Sequence, residues 1–242
     1  MHFLRRAAER GIFDHGWLKT AHTFSFGEYR DPRFMGFRSL RVINEDRVEP
    51  AEGFPMHPHR DMEILTWILE GALEHRDSMG SGSVIRPGDM QYMSAGSGVL
   101  HSEFNHSKEE RVHLLQIWIL PSGSGEKPLY SEAHFSREKR LDRLCLAASP
   151  DGREGSLKIR QDVDLYASLL GKDRKVGLDA RPGRFFWLQL AKGRVRLEQA
   201  GPDQAGLEGV QLESGDGLAL WDLTRLEIRA LEDSEFILFD LA

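Results

Sequence analysis

Short runs of apolar or alternating residues recur along the chain, each closed off by a glycine-rich break. Between Leu40 and Leu120 the runs Leu40–Ile43, Glu63–Leu69, Leu73–Arg76, Ser83–Ile85, Met90–Met93 and His113–Leu120 read as β-strands. The breaks Glu70-Gly71, Ser78-Met79-Gly80-Ser81-Gly82, Pro87-Gly88-Asp89 and Ser94-Ala95-Gly96-Ser97-Gly98 have turn compositions, with glycine available for positive φ. This succession predicts a closed or nearly closed antiparallel sheet. Pro121-Ser122-Gly123-Ser124-Gly125-Glu126-Lys127-Pro128 then has the composition of a linker. The pattern turns less regular after it: Ser136–Ser149 reads as partly helical, and Asp162–Leu170 suits a short helix or a strand. From Arg184 onward β signals return in Phe185–Leu190, Val195–Glu198, Gly217–Trp221, Leu226–Ala230 and Phe236–Leu241. Two domains are expected, residues 1–130 and residues 131–242, with the boundary close after the Pro121–Pro128 segment and further linker at the start of the second.

The two halves read as a degenerate repeat. Trp67-Ile68-Leu69-Glu70-Gly71-Ala72-Leu73-Glu74 resembles Gln189-Leu190-Ala191-Lys192-Gly193-Arg194-Val195-Arg196, and Arg86-Pro87-Gly88-Asp89 resembles Glu213-Ser214-Gly215-Asp216. Thirteen positions after Gly88 stands His101, whereas thirteen after Gly215 stands Ile228, with Ala230 in the place of Glu103. Counting back from Gly71 and Gly193 sets Asp179 against His57 and Arg181 against His59. On this reading the second half has lost whatever chemistry the first half carries.

That chemistry is concentrated in two short motifs. His57-Pro58-His59 and His101-Ser102-Glu103 each place two donor side chains on one face of an extended strand, because side chains alternate with period two. Three imidazoles and one carboxylate suit a borderline first-row divalent ion, and coordination positions left to water make such a site reactive. His22, His75, His106 and His113 lie in or near predicted strands and are expected to be packed or surface histidines. Trp67, Trp118, Phe24, Phe26, Met90, Tyr92 and Met93 are expected in the core, the other reading being that some line an apolar pocket.

Composition narrows the remaining classes. With 242 residues, 40% hydrophobic and 29% charged, the chain has the make-up of a soluble globular protein, and 24 glycines with 10 prolines favour a turn-rich β architecture. A net charge of -6 argues against a general nucleic-acid footprint. The single cysteine, Cys145, forms no intramolecular disulfide and fits a reducing compartment. No stretch has the length of a signal peptide's apolar region or of a membrane span. A cytoplasmic monomer without direct nucleic-acid or membrane partners is expected.

Beyond these readings the residues resemble a known family. Gly53-x(3)-His57-x-His59-x(3)-Glu63-x(7)-Gly71 and Gly98-x(2)-His101-x(3)-Asn105 look like the two motifs of cupin barrels. The blocks His15-Gly16-Trp17-Leu18, His22-Thr23-Phe24-Ser25-Phe26 and Leu40-Arg41-Val42-Ile43-Asn44 look more narrowly like pirins, closest to the bacterial branch described as quercetin 2,3-dioxygenases. The resemblance implies an all-β fold of two cupin, jelly-roll-like barrels, the N-terminal one metal-binding and the C-terminal one degenerate. It further implies His57, His59, His101 and Glu103 as ligands of one divalent ion per chain, Fe(II) favoured and Ni, Co, Mn, Cu or Zn also compatible. Because many cupins take their carboxylate from the first motif, Glu63 is the runner-up ligand. Glu103 or Glu63 is then the expected catalytic base. Two functions accompany the family: a dioxygenase that cleaves the heterocyclic ring of quercetin or related flavonols with O2, releasing CO and a depside, and a metal- or redox-sensing interaction protein that modulates a transcription factor or enzyme.

Overall fold

The computed structural model describes residues 2–199 and 209–242. Strand β1 (His2–Arg5) opens the chain, followed by β2 (Gly11–Asp14), β3 (Leu18–His22), β4 (Leu40–Val48) and β5 (Gly53–His59). Next come β6 (Glu63–Glu70), β7 (Leu73–Asp77), β8 (Gly82–Ile85), β9 (Asp89–Ser94), β10 (Val99–Asn105), β11 (Val112–Ile119) and β12 (Leu129–His134). A single-turn helix α1 (Arg137–Arg140) precedes β13 (Cys145–Ser149), β14 (Leu157–Lys158), β15 (Val163–Leu170) and β16 (Lys175–Asp179). The chain closes with β17 (Phe185–Lys192), β18 (Arg194–Gln199), β19 (Gln211–Glu213), β20 (Gly217–Trp221), β21 (Arg225–Ala230) and β22 (Ser234–Leu241). Among the described residues no helix is long and apolar enough to cross a membrane.

The described residues form two compact units that interleave in sequence. The first holds Arg10–His134 and Leu157–Gln161; the second holds the described part of Met1–Glu9, Phe135–Ser156 and Asp162–Ala242. The chain therefore changes unit after His134 rather than at the glycine-serine segment. Leu129–His134 stays with the first unit because β12 pairs antiparallel with β9 from Leu129↔Ser94 to His134↔Asp89. Likewise β1 joins the second unit by pairing with β20.

In the first unit a large sheet of order β12-β9-β6-β11-β4-β3-β2 accompanies a small one of order β5-β10-β7-β8. Apolar residues at alternate positions of the strands supply the core, one cluster containing Leu18, Val48, Ile68, Leu73, Val112 and Leu114, another Ile64, Met93, Ala95 and Val99. Asn105 secures the end of β10, its amide donating to the carbonyls of Val48 at 3.0 Å, Glu49 at 3.1 Å and Glu110 at 2.8 Å.

The second unit repeats the layout, with β1-β20-β17-β22-β15-β13 in one sheet and β16-β21-β18-β19 in the other. Asp162–Leu170, ambiguous in sequence, is strand: Val163–Leu170 pairs with β22 along its length, and Leu165, Ala167 and Leu170 are buried. Of Ser136–Ser149 only Arg137–Arg140 is helical, and Cys145–Ser149 is strand. One apolar cluster of this unit includes Leu197, Leu226, Ile228, Ala230, Phe236 and Leu238. Counting back from Gly193 had set Asp179 and Arg181 in the ligand positions of this half. Asp179 instead ends β16 and pairs with the Arg225 guanidinium at 2.5 Å, while Arg181 lies past the strand, bonded to Asp164 and Asp240. Leu178 and Val176 face Leu226 and Ile228 across the ladder, so the count slipped because loop lengths differ between the halves.

Candidate metal centre and pocket

Strand β5 carries two of the expected ligands and is shaped by its neighbour β10. A Cβ at Gly53 would strike the carbonyl of Glu103, so only glycine lets the two strands close here. The register then slips: His101 faces His57 and Glu103 faces Phe54, so β5 carries one more residue than β10 across this step. Such a bulge bends the strand and re-aims its side chains. Pro55 and His57, at alternate positions, both turn to the pocket, while Met56 and Pro58 face solvent. On β10, Val99, His101, Glu103 and Asn105 are buried and Leu100 and Phe104 exposed, a strict period of two.

The structure brings the three motif histidines into one group whose ring nitrogens lie within 4.8 Å of one another. Ring centroids are 4.4 Å apart for His57 and His101, 4.8 Å for His57 and His59, and 4.8 Å for His59 and His101. His57 Nδ1 lies 2.8 Å from the Pro55 carbonyl oxygen, which can only accept, so Nδ1 carries the proton and Nε2 keeps its lone pair. Both ring nitrogens of buried His101 lack a hydrogen-bond partner. Burial, reinforced by the neighbouring imidazoles, lowers His101 to about 3 and His59 to about 4. These rings are neutral at physiological pH, the form that donates to a metal.

Glu103 is buried and hydrogen-bonded: Gln116 Nε2 donates to Oε2 at 2.9 Å, and the Thr66 hydroxyl stands 3.4 Å from Oε1. It groups with His101 and with His75, which faces it across the β7–β10 ladder. His75 is more engaged than a packed histidine need be. It lies 3.3 Å from Asp77 Oδ2 through Nε2, 3.3 Å from the Gln91 amide through Nδ1, and stacks on Tyr130 with centroids 4.8 Å apart.

Glu63 is not brought to the histidines. Its strand neighbour Ile64 lines the pocket, so period two turns Glu63 to the other face of β6. There its carboxylate accepts from the Tyr92 hydroxyl, from Ser94 Oγ at 2.7 Å and from the Arg160 backbone N–H at 3.0 Å. The expected roles of runner-up ligand and base find no support in this placement. Its bonding is that of a carboxylate fixing buried hydroxyls, and Tyr92 is raised beyond its usual range by burial and by this bond.

The histidines line a cavity of about 410 Å³, within the size range of small-molecule sites. Phe26, Phe54 and Trp118 give it aromatic walls; the Trp118 ring meets His59 edge-on at 5.0 Å and Phe26 at 5.2 Å. Phe26 and Trp118 thus belong to the pocket, whereas Trp67, Phe24, Met90, Tyr92 and Met93 are fully buried core. Thr20, His22, Asn44 and Asp46 also line the cavity, and of these sequence reasoning considered only His22, as a packed residue. Their signal was polar residues at alternate positions of β3 and of β4, hidden because the inward face of a strand is not marked in one sequence.

The profile described as Pirin matches residues 4–119, and that described as the quercetinase C-terminal cupin domain matches residues 146–241. Along its whole length the chain is 47% identical to the quercetin 2,3-dioxygenase of Escherichia coli strain K12, covering 99% of that protein. It belongs to the pirin family. The bacterial pirin YhhW of Escherichia coli, solved in complex with nickel(II), has a TM-score of 0.91 at 47% identity, over 100% of this chain and 99% of that one. YhaK of Escherichia coli has a TM-score of 0.75 at 31% identity, over 94% of this chain and 96% of that one. Both units of this pirin are cupin-type domains.

The donors present fit a divalent ion. Unpartnered, neutral imidazole nitrogens of His101 converge with His57 and His59, and the pre-set tautomer of His57 leaves Nε2 free to ligate. Glu103 groups with His101 and His75 and lines the same cavity as the three histidines, which Glu63 does not.

Proposed function

We propose that this pirin is a metal-dependent dioxygenase acting on quercetin or a related flavonol, with His57, His59, His101 and Glu103 holding one divalent ion. The observation that carries the reading is the convergence of three imidazoles and a hydrogen-bonded carboxylate on a cavity with aromatic walls. Full-length similarity to a protein named quercetin 2,3-dioxygenase supports this substrate class. When bound, the ion supplies Lewis acidity toward a phenolic oxygen.

The chain's own residues do the rest. Phe26, Phe54 and Trp118 offer faces and edges to a flat aromatic ligand and keep water from it. Glu103 accepts the proton of the flavonol 3-hydroxyl, and Gln116 and Thr66 keep its carboxylate aimed. The flavonol takes up both atoms of O2, the heterocycle opens, and CO and a depside ester leave. Aerobic incubation of metal-loaded protein with quercetin is expected to bleach the flavonol absorbance and release one CO per flavonol consumed. Equal behaviour of metal-loaded and metal-free protein would remove the proposal.

A further inference from the structure

A continuous row of polar side chains crosses the large sheet of the first unit. Through the ladder, His22 faces Asn44, Asn44 faces Gln116, Gln116 faces Thr66 and Thr66 faces Gln91. A second pair, Thr20 and Asp46, stands beside the first on β3 and β4. The two ends of this row are treated differently. Toward β9 the polar groups bond one another and their neighbours: Thr66 donates to Gln116, Gln116 to Glu103, and the Gln91 amide meets His75. Toward β3 the bonding is incomplete. The Thr20 hydroxyl interacts with the Asp46 carboxyl and the His22 ring with the Phe26 backbone, yet Thr20 Oγ1, His22 Nδ1, Asn44 Oδ1 and Asp46 Oδ1 each lack a partner at full hydrogen-bond geometry, although the residues are only 5%, 7%, 4% and 4% exposed.

Four such atoms together are unusual, because leaving a buried polar atom without a partner is destabilising. All four residues line the same cavity as the histidines. We propose that Thr20, His22, Asn44 and Asp46 form a second subsite of the pocket, which binds the ring hydroxyls of a polyphenol whose other end lies at His57, His59 and His101.

The chemistry selects that ligand class. An amide, a hydroxyl, an imidazole and a carboxyl together offer both donors and acceptors, which a phenolic hydroxyl can match in either sense. Anionic ligands are disfavoured by the Glu103 carboxylate in the same cavity, and wholly apolar ligands would leave the four atoms unpaired. Phe26 both lines the cavity and meets the His22 ring edge-on at 5.2 Å, so the polar end runs directly into the aromatic wall. The subsite rests on the reading of this pocket as a flavonol site and adds to it a preference for hydroxylated rings.

The test is anaerobic titration of nickel-loaded protein with quercetin and with 3-hydroxyflavone, which lacks the ring hydroxyls. Wild type is expected to bind quercetin at least about tenfold more tightly, and Asn44→Leu and Thr20→Val are each expected to bring that ratio toward one. Both variants remove unpaired polar atoms, so their melting temperatures should hold or rise while affinity for quercetin falls. Equal binding of the two ligands by wild type, or an unchanged ratio in both variants, would overturn the subsite. CO release measured in parallel separates the claims. Discrimination without CO would remove only the dioxygenase reading, and CO without discrimination only the subsite.

Discussion

The two barrels of this chain share one layout and differ in what fills them. In the second, β21 brings Leu226, Ile228 and Ala230 inward, and these join an apolar cluster with Leu197, Phe236 and Leu238. In the first, the corresponding strand β10 brings inward His101 and Glu103, and the apolar residues fall into separate clusters with a cavity nearby. A jelly-roll barrel is stable with a packed interior, so the open, polar interior of the first unit is a departure that stability alone does not explain. The difference teaches that the fold carries no chemistry by itself; chemistry enters where inward positions are given to imidazole, carboxyl and amide groups rather than to aliphatics.

The comparison can be broken first in the second barrel. Ile228→Ala should lower stability by about 2–5 kcal/mol through the cavity it leaves, with metal content per chain unchanged. Loss of bound metal in a variant that still folds, by circular dichroism, would mean that this barrel takes part in the site. The effect of Gln116→Leu in the first barrel should be smaller in energy but different in kind. With Glu103 released from its amide donor, metal affinity or flavonol turnover is expected to fall by about tenfold to a hundredfold. Wild-type values for both would show that Glu103 needs no such support.

The smallest expected effect is on the acid side. Burial holds His22, His59 and His101 at about 4, 4 and 3 in the folded chain. Below the ordinary histidine value the unfolded chain therefore binds protons that the folded chain refuses, and stability falls as pH drops from 6.5 toward 4. Asp46, raised by burial to about 7, acts the other way: it keeps its proton when folded, so its contribution improves as pH falls through that window. Three imidazoles outweigh one carboxyl. The melting temperature of metal-free protein is expected to drop by about 5–10 °C between pH 7 and pH 5, and a rise over that range would contradict the burial of these rings.

Much of this was legible in the order of residues. Alternating patterns located about half of the described strands of each unit, and H-x-H and H-x-E each put two donors on one face of a strand because period two is a property of any extended chain. What escaped was whatever depends on partners across the ladder. Glu63 stood four residues after His59 in a motif rich in ligands, and only the pleat of β6 shows that Ile64 takes the inward face instead. Asp179 was matched by counting, and a difference in loop length moved it out of the core to a strand end. Thr20 and Asp46 carry no motif, and Asn44 marked only a family resemblance; they become a group only when β3 and β4 pair.

Elemental analysis of metal-reconstituted wild type beside His57→Ala and His101→Ala tests most directly whether one barrel alone does this work. One equivalent per chain is expected in wild type, with most of it lost in each variant while both barrels stay folded. Two equivalents in wild type, or an undiminished equivalent in both variants, would contradict it.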